Sequence, residues 1–419
     1  MFLMDAAAIL LCLAALLGLI NHHLLKLPFA IGILVSGLLA SIAVLVLDGF
    51  VPAFDLADTV RAAVLRVDFS EAVLAGMLSL LLFAGALHTD LSLLKEKALP
   101  ILTLATVGIV ISTAAAGGVA WLVFRAVGLD LPLSWCLVFG ALISPTDPIA
   151  VLGIMKAAGA PPSLEIKVIG ESLFNDGVGV VVFAVLLALA TSTSGDVGAG
   201  DVSLLLAKEV LGGLALGIGA GLIAERGMRT LDEPNLEILI TFAVVFGMNF
   251  VATRLHLSAP LAAVAAGLLV GNHGRASAMS ARTETALDTV WTFIDETLNA
   301  LLFLLIGVEV FAIDYTRGDY LLAAALLVPA VLGVRLLGVA LPLTALRAKL
   351  AIGRGTVRLL TWGGIKGGIS IALAMKLPDF PGRDAVLTVT YGVVIFSIIV
   401  QGLTVGRLIS RFRSESAVA

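Results

Sequence analysis

A chain of 419 residues that is 60% hydrophobic and only 13% charged is not a soluble globular domain, which carries about 25% charged residues. A net charge of −4 with no basic block gives nucleic acid nothing to hold. The two cysteines, Cys12 and Cys136, offer no disulfide framework and no metal spacing; both lie in apolar runs and read as small buried hydrophobes.

Apolar runs of about 20 residues are the unit of membrane crossing. They are expected near 5–21, 30–47, 70–88, 99–124, 133–155, 165–191, 202–224, 236–254, 259–272, 291–313, 320–343, 357–376 and 385–409, about thirteen in all. The fold class is therefore an all-α polytopic membrane protein. The first run lacks the basic start and the Ala-x-Ala end of a signal peptide, so it is read as a span. Numbering each loop by the span before it, sixteen Lys and Arg fall in odd loops and the C-terminus and seven in even loops. That bias places the N-terminus outside and the C-terminus in the cytoplasm. The Ser/Gly/Asp-rich loop 192–201 is the expected midpoint.

The fifth span contains Ser144-Pro145-Thr146-Asp147-Pro148, and the twelfth contains Trp362-Gly363-Gly364-Ile365-Lys366-Gly367-Gly368. Each proline removes a backbone donor and breaks the helical ladder. Interrupted helices at matching places in two halves point to an inverted-repeat transporter with its site near mid-depth. Carbonyls freed near Thr146 can coordinate a cation. Asp147 can act through water or neutralise the opposed helix N-terminus, and Lys366 can offset exposed C-terminal carbonyls.

The sixth span carries the most telling residues, Gly170-Glu171-Ser172-Leu173-Phe174-Asn175-Asp176-Gly177. An ionisable side chain at bilayer depth costs roughly 2.5–3.5 kcal/mol, so two in one span mark a working site. Ser172 stands four residues before Asp176, on the same face. A buried carboxylate can hold a proton or a cation but not both at once, and that competition is the minimum chemistry of exchange. Asp176, Ser172 and freed carbonyls supply the oxygen ligands a hard monovalent cation needs. Asn175 points elsewhere and can tie this helix to the broken fifth span. Glu171 and the isolated Arg335 each need a counter-charge and are paired here. Glu71, Glu165, Lys208, Glu209, Asp295, Glu296 and Glu309 fall near span ends and read as interfacial. Gly213, Gly217 and Gly221 form a small-residue stripe suited to close helix packing. None of the five histidines sits mid-span. No Gly-x-x-x-x-Gly-Lys-Ser/Thr sequence is present, so transport should run on an ion gradient rather than on nucleotide.

At these residues the chain resembles the monovalent cation:proton antiporters, in the branch with the NhaP proteins and the animal sodium/proton exchangers. The resemblance rests on Thr146-Asp147-Pro148, on 170–177, on Arg335 and on Trp362 to Ser370, and its order fits nearly the whole chain. It implies two crossing interrupted helices and a core domain made of residues 99–191 and 319–411. Residues 1–98 and 192–318 would form the dimer domain of a homodimer, and 412–419 a short cytoplasmic tail. It further implies that Asp176 binds the ion, with Ser172, Thr146 and Asp147 nearby. Asn175-Asp176, rather than two aspartates, goes with electroneutral exchange, and Glu171 with Arg335 would match a buried ion pair. Two positions depart from the family. Lys366 stands where Arg is usual, and Ala84 stands where relatives often carry an acid.

The expected function is Na⁺/H⁺ antiport, possible also with Li⁺, in a bacterial inner membrane, without cofactor, nucleotide or nucleic acid. K⁺/H⁺ exchange is the alternative within transport. A cation channel needs a continuous polar path, which this sequence lacks, and a sensor would favour an appended soluble domain.

Overall fold

A computed structural model describes residues 2–50, 76–192, 199–309, 317–346 and 355–418; Glu71, the start of the expected third span and most of the midpoint loop lie outside them. Helices and no strands occur among these residues. In chain order they are α1 (Phe2–Ile20), α2 (Phe29–Phe50), α3 (Leu78–Leu87), α4 (Leu91–Glu96), α5 (Ala98–Ala126, with a π-turn at Leu104–Gly108), α6 (Leu133–Ile143), α7 (Ile149–Ala157) and α8 (Pro162–Thr191). Then follow α9 (Ala199–Met228), α10 (Pro234–Leu255), α11 (Ala259–Leu269), α12 (Ala281–Val308), α13 (Gly318–Ala345), α14 (Thr356–Trp362) and α15 (Gly368–Met375). Last comes α16, which runs from Arg383–Phe396 through a π-turn at Ser397–Gln401 into Gly402–Val418.

Nine of the described helices are long and apolar enough to cross a membrane. The expected fifth and twelfth spans are each two half-helices, α6/α7 and α14/α15. The expected tenth span starts ten residues early, at Ala281, because Ser280 caps it by accepting from the backbone N of Thr283. The polar stretch 281–290 is thus helix, and a sliding hydropathy window could not see it. The perimeter carries exposed Leu204, Leu211, Ile223, Phe246, Phe250 and Leu322, as expected of surfaces that meet lipid tails. Cys12 corrects the sequence reading: it is exposed, whereas Cys136 is buried.

Packing divides the helices into two sets. In one, α5 packs on α6 and α13, α6 on α8, α13 on α14 and α16, and α7 and α15 on α16. In the other, α2 packs on α1 and α12, α3 on α11 and α12, and α11 on α9 and α10. Within each set some helices touch backbone to backbone. A Cβ at Gly140 of α6 would overlap the Thr113 carbonyl of α5. Cβ atoms at Gly217 of α9 and Gly271 after α11 would overlap the carbonyls of Ala262 and Leu87. Between the sets the meetings are through side chains, such as Leu261 against Gly177 and Leu302 against Gly368.

Candidate functional site

The two breaks meet. Asp147 N–H donates to the Ile365 carbonyl at 2.7 Å, so the unwound strands of the two half-helix pairs cross backbone to backbone. Helix α6 ends with unsatisfied carbonyls. Lys366 Nζ donates to two carbonyls just past the last turn of α6, Ser144 O at 2.7 Å and Pro145 O at 3.2 Å. The Asp147 carboxylate lies against Gly367, the residue that precedes the first turn of α15, where a negative charge suits the helix N-terminus. A Cβ at Gly367 would overlap that carboxylate, which is why only glycine fits here. Further donors satisfy α14: Arg335 Nη2 reaches Leu360 O at 3.0 Å, and Gln401 Nε2 reaches Trp362 O at 2.9 Å.

Helix α8 runs past this crossing. Asn175 Nδ2 donates to Thr146 Oγ1 at 2.8 Å, and Thr146 N–H donates back to Asn175 Oδ1 at 3.3 Å. Thr146 Oγ1 and Ser172 Oγ lie 3.1 Å apart. Whichever of these two hydroxyls donates, two lone pairs remain between them for a further ligand, since each has one proton and two acceptor sites. One turn on, Asp176 is 4% exposed and lines a cavity of about 500 Å³. Its carboxylate has no hydrogen-bond partner among the described residues, although Asp147 and Lys366 are within electrostatic reach. On another face of α8, Glu171 forms a buried ion pair with Arg335 Nη1 of α13.

The structure therefore brings Thr146, Asp147, Ser172, Asn175, Asp176 and Lys366 together, and sets Glu171 with Arg335 beside them. Sequence reasoning missed the far walls of the cavity. Leu81, Gly85 and His88 come from α3 and its end, Thr292, Asp295 and Leu302 from α12, and Ser370 from α15. Its place in the sequence makes Asp295 interfacial, yet it lines this cavity. Glu309 carries the same expectation, yet it is 2% exposed and its Oε1 has no hydrogen-bond partner among the described residues. Both depend on which face of α12 packs inward. The signal available for Asp295 is the row Thr292, Asp295, Asn299 at helical spacing, which carries polarity on one face into the apolar second half of the helix. Ala84 is fully buried and is not among the lining residues; its carbonyl accepts from, or contacts, His88 Nδ1 at 2.9 Å. At the cavity mouth His88 Nε2 stands 3.4 Å from Asp288, which also pairs with Arg275.

The family model for the transmembrane sodium/hydrogen exchangers matches residues 11–411. This chain belongs to that family. The Na⁺/H⁺ antiporter NhaP of Pseudomonas aeruginosa is 44% identical over 417 residues, covering 98% of this chain and 97% of the relative. NhaH of Halobacillus dabanensis, also a Na⁺/H⁺ antiporter, is 34% identical over 93% of each chain. Among solved structures, the sodium proton antiporter MjNhaP1 from Methanocaldococcus jannaschii superposes with a TM-score of 0.76 over 98% of this chain and 99% of its own, at 20% identity. That likeness shows that this exchanger-family chain shares the antiporter fold.

Proposed function

We propose that this protein exchanges Na⁺ for H⁺ across a bacterial inner membrane, one for one, by alternating access. The observation that carries the reading is the Asp176 carboxylate, which faces the cavity with no hydrogen bond among the described residues, while Thr146 lines the same cavity and shares with Ser172, one turn back on α8, a hydroxyl pair that keeps two lone pairs unused. Na⁺ takes oxygen ligands, and Asp176, Ser172 and Thr146 offer three side-chain ones. A proton on Asp176 removes the charge that would hold the cation, so each displaces the other. Asn175 sets Thr146, Asp147 and Lys366 hold the crossing, and Glu171 is kept neutralised by Arg335. One carboxylate then trades its proton per cycle, which moves no net charge.

The moving unit is taken to be α5–α8 with α13–α16, whose members pack mainly on one another. The remaining helices would be the fixed part and would carry the contact of a homodimer. The N-terminus would lie outside and the C-terminus in the cytoplasm, so that the cavity mouth at Lys156 and His88 faces the cytoplasm.

The test is purified protein in liposomes with an internal pH dye, given Na⁺, Li⁺ or K⁺ in turn. The expected result is proton movement with Na⁺ that saturates and needs the counter-gradient. Response to K⁺ alone would make this a K⁺/H⁺ exchanger. Cation flux without proton movement would make it a channel and overturn the reading.

A further inference from the structure

Three carboxylates from three elements line the one cavity: Asp176 of α8, Asp147 at the break, and Asp295 of α12. Asp295 is held by Asn299, whose Nδ2 donates to its backbone carbonyl at 2.7 Å and to its Oδ1 at 3.1 Å. The charges within its reach, Asp147 and Glu296, are both acidic. A carboxylate inside a span without a cationic partner is costly, and an arriving cation supplies the missing charge. A second observation points to a ligand in the same space. Ser370, 1% exposed in the cavity wall, has an Oγ with no hydrogen-bond partner among the described residues. Buried hydroxyls are ordinarily partnered, so this one awaits something the cavity receives.

The position of Asp295 along α12 gives its place in the path. Asp288 pairs with His88 at the mouth, and Leu302 packs on Gly368 at the break. Asp295 lies seven residues from each, about 10 Å along the helix either way and on nearly the same face.

We propose that Asp295 is a staging ligand, a carboxylate that binds the incoming monovalent cation half-way between the mouth and Asp176. The proposal rests on the exchange reading above. Asp295 belongs to α12, in the helix set that does not carry Asp176, and the proposal has it meet the cation only while the cavity is open on the Lys156 and His88 side.

The experiment is a Na⁺ titration of proton movement in vesicles of known orientation, with wild type, Asp295→Asn, Asp295→Glu and Glu296→Gln. Asp295→Asn should raise the half-saturating Na⁺ concentration roughly tenfold, the scale on which a charged cleft concentrates ions, with Na⁺ on the Lys156 and His88 face only. The maximal rate should stay within about twofold, because binding rather than turnover is changed. Asp295→Glu should recover the wild-type value and Glu296→Gln should not move it. An unshifted half-saturating concentration, an equal shift on both faces, or a fall in maximal rate alone would overturn the proposal. If Asp295→Asn is not recovered folded, Asn299→Ala takes its place. Loosening the carboxylate should then give a smaller shift in the same direction, and no shift overturns the proposal. An active wild type with an unshifted Asp295→Asn defeats this inference alone. A wild type silent with Na⁺, Li⁺ and K⁺ defeats the exchange reading as well.

Discussion

Replacing Arg335 by Met should destabilise the protein more than any other single change near the crossing. Arg335 is 8% exposed and gives Nη1 to Glu171 and Nη2 to the Leu360 carbonyl. Its loss strands a carboxylate that is 2% exposed, which costs about 3–5 kcal/mol, and leaves a buried carbonyl worth about 1 kcal/mol more. Glu171→Gln strands the guanidinium instead and should cost a similar about 3–5 kcal/mol. The double variant strands neither charge. It should therefore lie well short of the sum, with a coupling on the order of 3 kcal/mol. Thermal unfolding of the four proteins in one detergent reads this directly, as two low melting temperatures and one that recovers. Losses that simply add in the double variant would refute the reasoning, because they would mean that each residue is held by something other than its partner.

Asp176→Asn should abolish Na⁺-driven proton movement while keeping the melting temperature at or above wild type, since it removes a buried charge that has no hydrogen bond among the described residues. Gly367→Ala should push its methyl into the Asp147 carboxylate, costing about 1–3 kcal/mol and weakening transport, readable as a lower melting temperature with a higher half-saturating Na⁺. Lys366→Met should leave the Ser144 and Pro145 carbonyls without their donor and cost about 1–3 kcal/mol each way of measuring stability, by heat or by denaturant. On a solid-supported membrane with saturating Na⁺ the wild type should give no steady transport current; a sustained current would mean that a second proton moves, and its loss in Lys366→Arg would assign that proton to Lys366.

Much of this site could be read from one line of sequence because its cues are local. Pro145, Pro148 and the glycines of 363–368 announce breaks wherever they stand. Glu171 and Arg335 are each too costly at bilayer depth to stand alone. Ser172 and Asp176 share a face through helical spacing. The family assignment made on these motifs holds, and so does the all-helical fold. What could not be read depends on which helix turns toward which. Asp295, Glu309 and Ser370 look alike in sequence whether they face lipid, a neighbour or a cavity. The early start of α12 is hidden because six of its first ten residues are polar, with partners elsewhere in the fold such as Glu237, to which Thr283 donates at 3.1 Å. Asn175 does tie α8 to the broken fifth span, as its sequence position suggested, but that its partner there is Thr146 needed the depth of the break relative to α8, which no spacing rule supplies.

The glycine contacts bear on how such a protein can move. Where carbonyls meet Cα atoms, as between Gly217 and Ala262 or Gly140 and Thr113, the separation is set by covalent geometry and leaves no compliance. Where leucines meet glycines, as at Leu261 with Gly177 and Leu302 with Gly368, a rotamer change alters the fit by an ångström without touching a backbone hydrogen bond. Stiff seams within each set and soft seams between them would let the boundary act as a slip plane, on the proposed division into a moving and a fixed set. Two rigid plates sharing such a plane would store little elastic energy as they pass one another. On that reading the barrier to transport would be set by the charge at Asp176, which the cation or the proton must cancel before the plates slide, and not by bending the helices that carry it.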